Sequence, residues 1–181
     1  MKKYEKIASG YYASSYSTHQ PCLLWALDNC DGDILELGTG DSSTRLLHEN
    51  SKDKKIVSAD DDSGWMNKFS DIQNDRHEFI LLDPTVESWV EFIGKMSQKR
   101  WGFVFVDQGT GEHIWRPTRM AAIRELSKCS DFIVAHDSDL FPEAKTIGIP
   151  FFEYIPTEKS SNERNGPPTI ILSEKRRLPT E

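Results

Sequence analysis

Short apolar runs rich in β-branched and aromatic residues alternate with stretches of helical spacing through most of this chain, and that alternation restricts the fold more than any other feature. The runs are Asp33 to Leu37, Lys55 to Ala59, His77 to Leu82, Trp101 to Val106 and Asp131 to Ala135. Between them lie helix-compatible stretches at Ser43 to Glu49, Gly64 to Ile72, Val86 to Gln98 and Pro117 to Lys128, the last two with apolar residues on one face. Such an alternation predicts an α/β, doubly wound parallel sheet covered on both faces. After Ala135 the pattern changes. Phe151 to Ile155 and Thr169 to Leu172 are further strand candidates, with the polar loop Ser160 to Pro168 between them and no helix. They predict a hairpin at the sheet edge, with one strand antiparallel. Upstream, Met1 to Cys30 reads as a cap segment, helical over Cys22 to Asp28 behind Pro21 and irregular before it. No repeat, linker or low-complexity tract divides the chain, so residues 1–181 are expected to form one domain.

Composition excludes several classes. With 37% hydrophobic and 28% charged residues the chain reads as folded and soluble rather than disordered. No apolar run approaches the roughly 20 residues of a membrane span, and Met1-Lys2-Lys3 is not followed by the apolar core of a secretory signal, which makes a cytoplasmic location the expectation. Cys22, Cys30 and Cys129 lie far apart without a CxxC, and read as buried free thiols. A net charge of -7 argues against a nucleic-acid partner held by many phosphate contacts, and Lys175-Arg176-Arg177 reads as a solvated tail.

The first strand ends in ILELGTGDSST, where Gly38, Thr39 and Gly40 precede a helix start at Ser42, Ser43 and Thr44. In a doubly wound sheet this junction is where ligands bind, because glycines let a ligand approach the main chain and the helix start favours an anionic group. Two ligand classes do not fit. A dinucleotide site wants glycine or alanine where Ser43 stands, and a P-loop wants a lysine where this loop carries Asp41 and hydroxyls. Glu36 would repel a pyrophosphate but suits an ammonium. S-adenosylmethionine has that ammonium and a carboxylate for the helix end.

A second acid should follow the next strand to bind ribose hydroxyls, and KKIVSADDDSGW supplies Asp60, with Asp61 as its neighbour. An acidic helix cap is the plain alternative. Asp83, after the third strand, is a candidate for the adenine amine, and its plain alternative is a turn at Asp-Pro-Thr. Trp65 is either a border of the adenine or core.

Taken together, ILELGTG, SADDD and FVFVDQ resemble the class I S-adenosylmethionine-dependent methyltransferases. The resemblance implies a Rossmann-like, seven-stranded sheet, mostly parallel with a C-terminal antiparallel hairpin. It is closer to a subgroup that includes glycan and sugar O-methyltransferase domains of large algal viruses, through His19-Gln20-Pro21, Ser43-Thr44-Arg45-Leu46-Leu47-His48, Val106-Asp107-Gln108, His136-Asp137-Ser138-Asp139 and Pro168-Thr169-Ile170-Ile171-Leu172-Ser173. It covers nearly the whole chain and departs at Gln108, where the subgroup more often has histidine. With the residues read above it points to a cofactor site of Glu36, Gly38, Thr39, Gly40, Ser43, Asp60, Asp61, Asp83, Gln108 and His19, the last with a helix cap or core contact as its plain alternative, and to a small-molecule or glycan acceptor.

Methyl transfer to a sugar hydroxyl needs in-line geometry and a proton acceptor. Asp107, His136 and Asp137 end the fourth and fifth strands and are the catalytic candidates, His136 as a base near neutrality and Asp107 orienting the hydroxyl or the histidine; the plain alternative is that Asp137 caps the next loop and His136 bonds inside the sheet. The same three resemble the magnesium ligands of catechol-type methyltransferases, with a histidine where an acid is usual. Mg would tolerate that poorly and Mn better. His113, Asp139 and Trp115 lie nearby, and Arg116 and Arg119 either bind an anionic substrate group or pair with acids. Two rivals remain. A base-methylating nucleic-acid enzyme is disfavoured, because DQGT stands where a D/N/S-P-P-Y/F turn is needed. A non-catalytic S-adenosylmethionine-binding module would lack turnover.

Overall fold

A computed structural model describes residues 1–8, 17–109, 111–156 and 166–180. Ser160 to Asn165 of the expected polar loop, Thr110, and part of the segment before Cys22 lie outside the described residues. The chain builds one seven-stranded sheet in the order β3-β2-β1-β4-β5-β7-β6. Its strands are β1 (Ile34–Leu37), β2 (Ile56–Asp60), β3 (His77–Leu81), β4 (Trp101–Val106), β5 (Ser130–His136), β6 (Phe151–Tyr154) and β7 (Thr169–Leu172). The first five run parallel, and β7 is antiparallel to both β5 and β6. This is the Rossmann-like arrangement expected from the sequence, terminal hairpin included.

The period of two along each strand sorts side chains onto two cores. Leu35, Leu37, Val104, Val106, Ile133 and Ala135 pack under the longer helices, while Ile34, Phe103, Phe105, Phe132 and Val134 pack on the N-terminal side. The first layer is α5 (Val86–Met96) and α6 (Glu112–Leu126), and the second is α2 (Gln20–Asn29) and α3 (Thr44–Asn50). The remaining helices are α1 (Lys2–Ala8) and the short α4 (Ser63–Asn67). Glu36, Asp107 and His136 share the second face, while Asp61 and Asp137 turn to Trp89 of α5 and Arg119 of α6 on the first.

Four local expectations are corrected. Lys2–Ala8, read as irregular, is the helix α1, which rests on α2 through Tyr4 and Asp28. The stretch Gly64 to Ile72 breaks into α4 and a 3-10 turn at Ser70–Ile72. A 3-10 turn at Pro142–Thr146 fills part of the stretch after β5 read as helix-free. Helix α6 begins at Glu112 rather than Pro117: proline removes one N–H from the ladder, but the carbonyl it leaves, four residues back, belongs to exposed His113 in the first turn, where water can reach it. Among the described residues no helix is long and apolar enough to cross a membrane. Cys22 and Cys30 are buried thiols as expected, whereas Cys129 is half-buried.

Candidate active site

The strand order reverses between β1 and β4, and the loops that leave these strands touch. Gly38 has φ +91°, and a Cβ there would lie 2.5 Å from the Gln108 nitrogen and 2.6 Å from the Asp107 carbonyl oxygen, so only glycine fits. Gly40 carries no such constraint: a side chain there meets only the Ser43 hydroxyl at 3.6 Å, and its N–H donates to Thr44 Oγ1 at 2.9 Å. The next residue in the turn, Thr39, is clamped by the second strand. Its N–H and Oγ1 donate to Asp60 Oδ2 at 2.6 and 2.7 Å, and the Asp62 N–H donates to Oδ1 at 2.9 Å. Burial raises the Asp60 pKa above the ordinary carboxylate value despite these bonds. Asp60, the last residue of β2, therefore ties the glycine turn to that strand.

Glu36 lies beneath the turn and is fully buried. Ser43 Oγ and Thr44 Oγ1 donate to Oε1 at 2.6 and 3.1 Å, and Ser58 Oγ donates to Oε2 at 2.6 Å. Burial among neutral partners raises its pKa to about 7, against the pull of those three hydroxyls. Since the Ser58 proton goes to Glu36, its oxygen accepts from His77 Nε2 at 2.8 Å, and His77 Nδ1 then accepts from His48 Nδ1 at 3.1 Å. Burial, followed by the neighbouring His48, lowers the His77 pKa to about 3, so the ring is neutral as this pattern requires.

The other cofactor candidates are spread along the same edge. Asp61 Oδ2 accepts the Trp89 indole N–H at 2.9 Å, Asp62 caps α4, and Asp83 is exposed beyond β3. Trp65 is half-buried with the Lys68 ammonium 3.5 Å from its ring centre. Gln20 of α2 donates to the Ser42 carbonyl at 2.9 Å and so holds the cap segment against the turn.

At the ends of β4 and β5 the groups differ in kind. His136 Nδ1 lies 3.3 Å from Asp107 Oδ1, and Asp137 Oδ1 lies 3.6 Å from the same nitrogen. Arg119, buried on α6, donates from Nη2 to Asp107 Oδ1 at 3.0 Å and from Nη1 to Asp137 Oδ2 at 3.3 Å. It also donates to the carbonyls of Gln108 and His136 at 2.8 and 3.1 Å, with its guanidinium above the rings of Trp115 and Phe141. Asp137 takes φ +55°, a conformation aspartate tolerates better than most residues. Burial opposes charge on Asp107, but His136 and Arg119 outweigh it and hold its pKa at about 2. The same burial opposes charge on His136, where Asp107 prevails and the pKa is raised.

Sequence reasoning missed Thr18, which decides the state of His136. Its hydroxyl proton goes to the Pro167 carbonyl at 2.8 Å, so towards His136 Nε2, 3.1 Å away, Thr18 accepts. Nε2 therefore carries a hydrogen, and Nδ1 is the atom turned to Asp107. Beside this dyad stands His19, with its ring centre 4.5 Å from that of His136 and 4.9 Å from that of Phe105. His19 is 2% exposed, and among the described residues neither ring nitrogen completes a hydrogen bond. Burial, then His136, lowers its pKa to about 3; the Ser42 backbone lies near enough to favour protonation without completing a bond. Gln108 is also buried, its Nε2 on Thr118 at 3.4 Å and its Oε1 without a partner. The expected trio Asp107, His136 and Asp137 thus does meet, with Arg119 as the cation between the acids. His113 and Asp139 are exposed, Trp115 lies on α6 rather than in a loop, and Arg116 pairs with Glu112 and Glu143.

No family model and no curated protein matches the chain. Solved structures do. An enzyme from Klebsiella pneumoniae provisionally described as an O-methyltransferase superposes with TM-score 0.61 at 12% identity, over 91% of this chain and 82% of that one. Human methyltransferase-like protein 13, in complex with S-adenosylhomocysteine, gives 0.60 at 13% identity over 88% and 82%. An rRNA methylase from Streptococcus thermophilus gives 0.54 at 19% identity over 84% and 93%. The fold is that of the class I methyltransferases. At these identities the likeness speaks for the fold alone, and the acceptor has to be argued from this chain's own residues.

Proposed function

We propose that this protein is an S-adenosylmethionine-dependent O-methyltransferase whose acceptor is a small-molecule hydroxyl, best matched by a sugar or glycan hydroxyl. The observation that carries the reading is the contact between the β1 and β4 loops, where a glycine turn free of lysine abuts a strand end bearing Asp107 and Gln108. On this reading the nucleoside lies across the ends of β2 and β3. Asp60, with Asp61, takes the ribose hydroxyls, and Asp83 meets the adenine amine. Asp60 already accepts three hydrogen bonds of the roughly four a carboxylate can take, so Thr39 turns partly away when ribose binds. The methionine part crosses Gly38, Thr39, Gly40 and Ser43, bordered by His19 and Gln108. Glu36, sealed beneath, acts through the hydroxyls of Ser43 and Thr44 rather than by touching the ammonium.

Asp107, His136 and Asp137 form the acceptor side. There the incoming oxygen bonds the methyl carbon as the sulfur leaves, and the hydroxyl proton passes to the protein. Positioning the oxygen roughly 3 Å from carbon and opposite sulfur supplies much of the acceleration. The acidic balance of -7 supports a neutral acceptor over a polyphosphate one. S-adenosylhomocysteine release measured over a panel of sugars and glycan fragments tests the reading. Turnover on at least one hydroxyl is expected, falling about 100-fold or more in Asp107→Asn with S-adenosylhomocysteine affinity retained. Tight S-adenosylmethionine binding without turnover on any hydroxyl, or equal turnover by Asp107→Asn, overturns it.

A further inference from the structure

We infer that His19, Asp107 and His136 form a binding site for one divalent first-row transition ion, at the acceptor side of the cleft. One ligand atom from each lies within 4.8 Å of the others. His136 Nδ1 and Asp107 Oδ1, 3.3 Å apart, already have the separation of two atoms sharing one ion, since bonds of about 2.0 to 2.2 Å at near-right or tetrahedral angles put ligand atoms about 3 to 3.5 Å apart. The third ligand is His19, whose ring can border the cofactor with its carbon edge while one nitrogen faces the ion. A neutral imidazole buried with both nitrogens lacking partners has lost its water and gained nothing for it, which costs about 1–3 kcal/mol in a purely structural role. A cation bonded to one of them accounts for the position of His19.

The surroundings have the form of an outer shell. Metal-ligating histidines donate their second N–H to a fixed acceptor, which sets the tautomer and aims the other nitrogen at the ion. Thr18 is that acceptor for His136, itself fixed by its bond to Pro167. Arg119 donates to Asp107 Oδ1 and His136 Nδ1 faces the same oxygen, so any proton on Nδ1 leaves when the ion enters between them. The charged groups facing the site are Asp107, Asp137 and Arg119. The guanidinium offsets one carboxylate, and a single negative charge is left for a cation. Two imidazoles and one carboxylate suit Mn2+, Co2+ or Zn2+ better than Mg2+, which prefers oxygen. The site deepens the proposed function and its catalytic part rests on that reading: an ion here lowers the pKa of a coordinated hydroxyl and orients it towards the methyl group. Binding of the ion does not depend on methyl transfer.

The experiment is a Mn2+ titration of the full chain followed by electron paramagnetic resonance, alongside histidine ring signals in proton NMR. One Mn2+ per chain is expected, with paramagnetic broadening of His19 and His136 and not of His48 or His77. His19→Ala should weaken binding by more than about 10-fold and Thr18→Val by about 10-fold, since outer-shell partners are worth 10- to 100-fold. Asp137→Asn, which removes a nearby charge but no ligand, should weaken it less than His19→Ala. Mn2+ bound equally by His19→Ala, or abolished by Asp137→Asn while His19→Ala still binds, or broadening at His48 and His77, refutes this ligand set. The NMR arm uses the unaltered chain and decides even where His19→Ala does not fold. Absence of Mn2+ binding in a chain that methylates sugars sinks the ion site and spares the methyltransferase. Mn2+ at the site without S-adenosylmethionine binding does the reverse.

Discussion

Glu36 and Asp107 are two buried or nearly buried carboxylates on neighbouring strands, one residue from the carboxyl end of β1 and one beyond the end of β4, and they titrate in opposite directions. Glu36 is surrounded by three hydroxyls and rises to about 7, while Asp107 lies between a guanidinium and an imidazole and falls to about 2. Both pay the same kind of desolvation cost. What differs is whether a counter-charge is present, because dipoles of neutral hydroxyls do not offset the loss of water around a carboxylate and formal charges at 3 Å do. The carboxyl end of β1 is therefore a neutral polar lock beneath a glycine turn, and the ends of β4 and β5 are an ionic cluster.

The largest effect comes from removing the counter-charge. Arg119→Met leaves Asp107 and Asp137 facing each other near His136, and should cost about 3–5 kcal/mol in urea unfolding. A cost below about 1 kcal/mol would equate the two sides and remove the contrast. Next is the pH dependence of Glu36. Its folded pKa lies above the unfolded value of 4.5, so the native state holds more protons between pH 4.5 and about 7, and stability attributable to it is full below pH 4.5 and falls as pH rises through that window. A shift of this size corresponds to roughly 3 kcal/mol. Stability of Glu36→Gln relative to the unaltered chain should accordingly rise from pH 4.5 to 7.5, and a flat difference would mean that Glu36 is charged throughout. A smaller change follows Ser58→Ala. It deletes a donor to Glu36 and the acceptor of His77, should cost about 1–2 kcal/mol, and should move the Glu36 titration upward in carboxyl NMR. The smallest concerns the turn. Asp61→Asn keeps the acceptor for the Trp89 indole and should change S-adenosylhomocysteine affinity less than about 3-fold, while Asp60→Asn, which unclamps Thr39, should weaken it by about 10-fold or more, as loss of a charged hydrogen bond implies.

The architecture was legible because the inner strands, buried on both faces, are mostly apolar runs, and the half-exposed edge strands β3 and β6 still carry aromatic residues between turn signals. Their polar ends were legible too, since Asp60, Asp107 and His136 follow apolar runs directly. The partners were not. Spacing along the chain does not say that Arg119, 12 residues beyond Asp107, curls back to it, nor that Thr18 meets His136 across 118 residues. Glu36 illustrates the limit: its position in the sequence pointed to a carboxylate open to an ammonium, while the fold places three hydroxyls over it. The start of α6 was misplaced because Pro117 fits a first helical position as well as it fits the second turn it occupies.

The bonds from Glu36 through Ser58 and His77 to His48 lead away from the cleft. His77 is the first residue of β3, so the path runs towards the amino ends of the strands and comes out at half-buried His48. It is a continuous hydrogen-bonded connection between the carboxylate under the glycine turn and the opposite end of the sheet, so a proton of that acid has a route to the medium that does not cross the turn.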